Sequence, residues 1–146
     1  MIPGAGSGQD PFDLDRFVRA QADGTWETAL AELERGRKTS HWMWFVFPQI
    51  EGLGHSPMAQ RYAIRSLQEA RAYLDHPVLG PRLLRGAEAV AAAEGSAEEI
   101  FGGIDAVKLR SSMTLFARAD PGQDVFSRVL QRCFRGEPDP ATLARI

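Results

Sequence analysis

The sequence predicts an all-α fold: a compact, single-domain bundle of about seven or eight helices, several of them short, with no substantial sheet. Nearly every boundary between apolar segments carries a helix cap, a proline or a glycine. No segment shows the strict alternation of apolar and polar residues that marks a strand. A chain of 146 residues also has the length of one domain built around one core.

The N-terminal part predicts a tail followed by a pair of helices. Residues 1–9 are rich in Gly and Ser and predict a flexible tail, which leaves residues 10–146 as the domain. Asp13 is expected to cap the first helix and Thr25 the second, because both precede apolar residues at helical spacing. Gly36 is expected to end the second helix.

The middle of the chain predicts a short helix and then a loop. Residues 42–47 are apolar without a clean period, and we expect a short buried helix because Pro48 stops its continuation. Residues 50–57 contain Gly52 and Gly54, which predict a loop that can bring backbone N–H groups close to a ligand.

The second half of the chain is divided by helix caps. Ser66 with Glu69, and Ser96 with Glu99, have the spacing of a capping box. The helix that begins after Ser96 is expected to end at Gly102. The remaining helices are expected to begin at Pro77, Asp105, Asp120 and Asp139.

The composition restricts the function classes. A net charge of −2 disfavours a nucleic-acid binder, which needs a basic surface. The single cysteine, Cys133, predicts a reducing compartment, and no Cys and His spacing indicates a metal site or a cofactor. No apolar stretch approaches the roughly 20 residues of a membrane-spanning helix. We therefore expect a cytoplasmic protein.

Residues 40–49 concentrate aromatic and reactive side chains. His41 is a candidate for proton transfer, Gln49 for proton handling or hydrogen bonding, and Trp42 or Trp44 for stacking on a ligand ring. The alternative is that these residues only pack in the core. Because residues two apart diverge by about 200° on a helix, at most one of the two Trp side chains is expected to face a cleft.

Arg37 and Lys38 are a second candidate feature. If either faces the loop around Gly52 and Gly54, the pair predicts an anion clamp of cationic side chains and backbone N–H groups. The alternative is that both cations interact with the C-terminal end of the preceding helix dipole.

Lys108, Ser111 and Ser112 share one face of a predicted helix beside its apolar stripe. A lysine beside two hydroxyls is typical of a buried polar site, and Lys108 joins His41 as a candidate catalytic residue. Alternatively, each hydroxyl bonds to the carbonyl four residues earlier. No oxyanion-hole motif accompanies the Ser–Lys pair, which favours binding over a hydrolase of that type.

Several segments together carry a family resemblance: residues 10–18, 36–38, 41–49, 52–54, 73–74, 76–80, 100–102, 108–109 and 111–116. They resemble the uncharacterised family called domain of unknown function 1810. The resemblance implies a small, cytoplasmic, all-helical bacterial protein. Some members carry the label calpastatin, which implies a protease inhibitor, although a compact Trp-rich domain is physically unlike an extended inhibitory peptide.

Two functions follow as hypotheses. The first is a pocket that binds a small anionic or nucleotide-like ligand, with hydrolysis as an option; it requires the aromatic segment and the Lys108 helix to lie side by side. The second is a non-catalytic protein-interaction module, which requires a filled interior and an apolar surface patch.

Overall fold

Helices provide the regular secondary structure in the computed structural model, which describes residues 10–146. In chain order they are α1 (Asp15–Ala20), α2 (Thr25–Arg35), α3 (Met43–Val46), α4 (Pro57–Arg61), α5 (Leu67–Asp75), α6 (Leu79–Ala92), α7 (Ala97–Ala119), α8 (Val125–Phe134) and α9 (Pro140–Leu143). The predicted all-α, single-domain fold is confirmed, with nine helices in this part of the chain. The tail predicted over residues 1–9 lies outside the described residues.

Helix α1 begins differently from the prediction. Asp10 supplies the cap, because its carboxylate accepts hydrogen bonds from the backbone N–H groups of Leu14 (2.7 Å) and Asp15 (3.0 Å). Asp13 instead occupies the left-handed region (φ 51°) of the turn before the helix. Helix α2 begins at Thr25, one residue earlier than predicted, because Gly24, and not Thr25, is the N-cap.

Other boundaries agree with the prediction or add to it. Gly36 ends α2 in the left-handed conformation (φ 80°), and α3 is the short helix expected within residues 42–47. Helix α4 was not predicted. Ser56 caps it by accepting from the backbone N–H of Ala59 (3.1 Å), and Pro57 occupies its first turn.

The caps of α5 and α6 show how tertiary contacts change a local signal. Ser66 caps α5 as predicted, but Glu69 does not complete a capping box, because its carboxylate accepts from the backbone N–H of Arg65 and from Arg16. Helix α6 begins after Pro77, which lies in a turn. Its cap is the imidazole of His76, whose Nδ1 accepts from the backbone N–H groups of residues 78 and 79 (3.1 and 3.2 Å).

The last three helices test five predicted boundaries. The capping box of Ser96 and Glu99 is confirmed. Gly102 (φ 80°, ψ 165°) interrupts α7 where a helix end was predicted, while Asp105 lies within the helix and forms ion pairs. The carboxylate of Asp120 accepts a hydrogen bond from the backbone N–H of residue 122 and stabilises a turn there. Helix α8 therefore begins later, at Val125. Asp139 caps α9 as predicted.

The core is organised around α7. This helix packs against α5, α8 and α9, and α6 packs against α2, α5 and α8. The aromatic segment closes one side, where the rings of Trp42 and Phe47 each meet the ring of Phe101 at steep angles, a preferred geometry for aromatic pairs. Within residues 10–146, no helix combines the length and the apolar content needed to cross a bilayer.

One pair of backbone hydrogen bonds positions the glycine-containing loop. The N–H of Ile64 donates to the carbonyl of Gln49 (2.8 Å), and the N–H of Glu51 donates to the carbonyl of Ile64 (2.8 Å), which makes an isolated parallel bridge between Ile50 and Ile64. The loop after Ile50 is thereby fixed beside the segment that joins α4 to α5.

Candidate functional site

Two regions of the structure contain predicted site residues. We call the first the lysine–tryptophan cluster, formed by Lys38, Trp42, Trp44, Asp105 and Lys108. The second is the glycine-loop cleft, which is lined by Gln49, Ile50, Glu51, Gly52, Gly54, His55, Pro57, Ala59, Gln60, Arg61, Ala63 and Arg65.

Asp105 is the centre of the lysine–tryptophan cluster. One carboxylate oxygen lies 2.8 Å from the ammonium of Lys38, and the other lies 3.4 Å from the ammonium of Lys108. Lys38 is only 8% exposed, and it also donates to the carbonyl of Ser40 (2.6 Å). Sequence reasoning assigned Asp105 to a cap and missed this role. Both lysines are held by one carboxylate.

Each lysine of the cluster also lies over an indole ring. The ammonium of Lys38 is 5.1 Å from the ring centre of Trp42, and that of Lys108 is 5.0 Å from the ring centre of Trp44, within the range of a cation–π interaction. Trp42 is 1% exposed and Trp44 is half-buried. The aromatic segment and the Lys108 helix therefore lie side by side.

Glu32 holds Trp42 and the residues before it in place. Its buried carboxylate accepts from the backbone N–H groups of Thr39 (2.8 Å) and Ser40 (3.0 Å) and from the indole N–H of Trp42 (2.9 Å). Burial alone would raise the pKa of Glu32, but these hydrogen bonds and one from the Ser40 hydroxyl lower it from 4.5 to about 2. Sequence reasoning did not single out Glu32.

Arg37 and His41 are exposed at the edge of the cluster. Lys38 points to Asp105, and neither Arg37 nor Lys38 lines the glycine-loop cleft. The backbone N–H of Lys38 donates to the carbonyl of Ile100 (2.8 Å), which ties this segment to α7. Cations from a later part of the chain lie beside the glycine loop instead.

The hydroxyls predicted beside Lys108 serve the interior. Ser111 Oγ lies 3.2 Å from the carbonyl oxygen of Val107, four residues earlier, and 3.0 Å from a carboxylate oxygen of Asp139, so it joins α7 to α9. Ser112 is fully buried, and its hydroxyl has no hydrogen-bond partner among residues 10–146.

The glycine-loop cleft encloses about 670 Å³, a volume within the range of small-molecule sites. Its apolar floor contains the buried residues Ile50 and Ala63, and its exposed rim carries Pro57 and the polar and charged groups. Gln49 is the one predicted ligand-binding residue that lines this cleft.

Arg61 and Arg65 give the rim its positive charge. Both are exposed, and within the described residues neither guanidinium forms an ion pair or donates a side-chain hydrogen bond. They also line a neighbouring recess of about 290 Å³, so they stand on a ridge between two concavities. Glu51 and His55 are the other titratable groups that line the cleft.

A buried arginine builds the backbone that carries this ridge. Arg16 donates to the carbonyl oxygens of Arg61 (2.9 Å) and Ala63 (2.8 Å), and it pairs with the buried carboxylate of Glu69 (2.8 Å). These hydrogen bonds fix the backbone segment that carries Arg61 and Arg65. Sequence reasoning missed Arg16, because it does not share the helical spacing of the apolar residues of α1. In the described part of the chain, no group of three or more His, Cys, Asp and Glu side chains is placed to hold a metal ion.

Comparisons with known proteins add the family context. The family model described as "Protein of unknown function (DUF1810)" matches residues 11–146. The crystal structure of the conserved hypothetical protein Rv1873 from Mycobacterium tuberculosis is 54% identical in sequence, with a TM-score of 0.90 over 92% of this chain and 96% of that chain. A comparison with curated proteins finds no match.

Proposed function

Because the chain belongs to the DUF1810 family, which carries no assigned activity, we propose a function from its own geometry: binding of a small anionic, nucleotide-like ligand in the glycine-loop cleft. The observation that carries this proposal is that glycine backbone and two arginines without ion-pair partners in residues 10–146 line one cleft of about 670 Å³.

The cleft has the complementary parts that such a ligand needs. A guanidinium group offers a planar fork of donors that matches a phosphate or carboxylate. Gly52 and Gly54 contribute backbone to the lining, although the space beside their α carbons is taken by Arg145 and Ala59, and Gln49 offers an amide. The apolar floor suits the flat, weakly polar part of a nucleotide.

The lysine–tryptophan cluster is the competing location. Lys38 and Lys108 already share the carboxylate of Asp105, so an anion there would have to compete with an existing ion pair. Arg61 and Arg65 face no such competition within residues 10–146. The charge distribution therefore favours the cleft, while Trp44 and Lys108 stay candidates for direct test.

A thermal-shift screen with nucleotides, sugar phosphates and ADP-ribose tests the proposal, because a ligand that binds only the folded state raises the melting temperature. For any hit, Arg61→Ala and Arg65→Ala should reduce the shift. Arg118→Ala, an exposed arginine that lines neither region, should leave it unchanged. Loss of the shift in Lys108→Ala or His41→Ala would move the ligand to the cluster, and no hit at millimolar ligand would favour the interaction module.

Hydrolysis is tested on the same hits. His55 and Glu51 line the cleft, so His55 is the group there that can transfer a proton near neutral pH. Release of phosphate from a bound nucleotide that is lost in His55→Ala would show an enzyme. A nucleotide that stays intact for hours in the presence of the protein would indicate a binding protein without hydrolytic activity.

The alternative function, a non-catalytic interaction module, is favoured by one observation. Ile104 and Val107 are 78% and 63% exposed and lie one turn apart on α7. Two side chains are far less than the roughly 800 Å² per partner of a stable interface, so the cleft is preferred. Sedimentation of the wild type and of Ile104→Ser/Val107→Ser tests self-association, and a protease-inhibition assay tests the calpastatin label.

We also propose a cytoplasmic location, because the single cysteine of the chain forms no disulfide bond.

A further inference from the structure

Arg145 lies against the glycine loop. A Cβ atom built on Gly52 would stand 2.3 Å from Nη1 and 2.7 Å from Cζ of Arg145, so the guanidinium occupies the space that any larger residue would need. Gly52 also has a φ of 97°, which disfavours a side chain independently. Gly52 lines the cleft and Arg145 does not, so Arg145 is next to the cleft only through its contact with Gly52, and it comes from a distant part of the chain.

The position of Arg145 is set by the anchoring of α9. Its backbone N–H donates to the carbonyl of Thr142 (3.0 Å), and the side chain of Thr142 is bound to Asp139 (2.6 Å). Asp139 is in turn held to α7 by Ser111 and by Thr114, whose Oγ1 accepts its backbone N–H (2.9 Å). These contacts bring a third cation to the glycine loop.

The charges around the cleft define the ligand further. Arg61 and Arg65 against Glu51 leave one net positive charge in the lining. Arg145 has no ion-pair partner among residues 10–146, and it raises the local charge by one more. Each added positive charge strengthens the attraction for the more negative of two ligands, so a third arginine favours a diphosphate over a monophosphate, whose charge is about −2 or less in magnitude.

We propose that the ligand is a nucleoside diphosphate and that Arg145 is the residue that selects it over the monophosphate, an inference that deepens and rests on the proposed function. Arg61 and Arg65 bind one phosphate group from the ridge, and Arg145 binds the second across the glycine loop. Gly52 serves this arrangement because it gives Arg145 the space to approach the backbone.

Calorimetric titration of the full chain with AMP and ADP tests the inference. The wild type should bind ADP at least about tenfold more tightly than AMP, the factor expected from one hydrogen-bonded ion pair. Arg145→Ala should weaken ADP by about that factor and leave AMP nearly unchanged. Arg145→Lys should recover part of the preference, because it keeps the charge and loses the fork.

Arg135→Ala is the matched control, since Arg135 is exposed and lines a different concavity with Phe134 and Glu137; it should leave both affinities unchanged. Equal ADP affinity in the wild type and Arg145→Ala would overturn the inference, as would a wild type that binds AMP and ADP equally or binds neither. If a wild type that binds these nucleotides without preference still loses affinity in Arg61→Ala and Arg65→Ala, the proposed function stands. If they also leave it unchanged, both fail.

Discussion

Glu32 shows how one buried carboxylate organises the segment that carries Trp42. Its oxygens accept from two backbone N–H groups, a hydroxyl and an indole N–H. A buried charge with this many donors is stabilised in its ionised form, and its removal leaves those donors without an acceptor. The turn between α2 and α3 therefore depends on a single side chain.

The substitution Glu32→Gln should lower the free energy of unfolding by about 2 kcal/mol, because hydrogen bonds to a charged acceptor contribute about 1.5–3 kcal/mol. Urea denaturation at neutral pH measures the change. Glu34→Gln is the control: Glu34 sits two residues away in the same helix and forms an exposed ion pair with Arg85, so its loss should stay below about 1 kcal/mol. Equal losses in the two variants would contradict the role given to Glu32.

The same carboxylate makes stability depend on pH. The pKa of Glu32 is about 2 in the folded protein against 4.5 ordinarily, so the unfolded chain takes up the proton first as pH falls. The contribution is complete above about pH 5 and is lost toward about pH 2. The stability difference between the wild type and Glu32→Gln should therefore shrink over this window in urea titrations at stepped pH. A difference that stays constant down to pH 3 would count against the lowered pKa.

Glu32 is one of several residues whose role was not predicted from the sequence. The pocket hypothesis required the aromatic segment and Lys108 to lie side by side, and they do, because their apolar neighbours share one core. The identity of the shared anion, Asp105, was not predicted, since its position after two glycines also fits a cap. Arg61 and Arg65 were missed because nothing in their local pattern distinguishes an arginine at a cleft from one at an ordinary surface.

At the scale of the elements, the sequence predicted those helix boundaries that are set by residues a few positions apart. Ser96 and Asp139 cap their helices by reaching residues three positions later, and this distance is visible in sequence. Glu69 has the same spacing from Ser66, yet its carboxylate is taken by Arg16. The two Ser–Glu signals thus predict a helix start, and they predict the second hydrogen bond of a capping box only where no distant cation competes. Aspartate alone was less reliable, because Asp105 and Asp120 do not begin the helices predicted from them.

The interruption of α7 gives a prediction for one element. Gly102 has φ 80° and ψ 165°, a conformation that is essentially restricted to glycine, while a Cβ there would meet no neighbour within 4 Å. Gly102→Ala should therefore cost about 1–3 kcal/mol through backbone strain alone. Thermal or urea unfolding of the variant measures this cost.

Gly103→Ala provides the control for that substitution. Gly103 is the next residue of α7, it also has open space around it, and its φ lies outside the glycine region. Alanine should be neutral there or stabilise by up to about 1 kcal/mol, because it loses less conformational freedom on folding. If both variants behaved alike, the interruption would not require glycine.

At the scale of the whole molecule, two largely buried ion pairs connect segments that are distant in sequence. Arg16 of α1 reaches Glu69 of α5, and Lys38 reaches Asp105 of α7. Pairings of this kind follow from the packing of the helices and from no local pattern, which is why the fold class was predictable while the partners were not. For the same reason, the sequence did not predict the contact between Arg145 and Gly52.

The pair of Arg16 and Glu69 links the stability of the fold to the shape of the cleft. Arg16→Met should lower the free energy of unfolding by about 3–5 kcal/mol, because it leaves the buried carboxylate of Glu69 without its cation. Arg16→Met/Glu69→Leu should recover part of this loss, since no unpaired charge then stays buried. Recovery should be incomplete, because the carbonyls of Arg61 and Ala63 lose their donors in both variants. Urea denaturation of the full cycle measures these terms.

Arg19→Met is the matched control for this cycle. Arg19 lies on the same helix and forms an exposed ion pair with Asp15, so its loss should change stability by less than about 1 kcal/mol. A loss in Arg16→Met as small as that of the control would show that the buried pair contributes little. A large loss with normal ADP binding in the folded fraction would show that the ridge of Arg61 and Arg65 keeps its shape without Arg16. A large loss together with weaker binding would mean that the guanidinium of Arg16 stabilises both the core of the domain and the cleft.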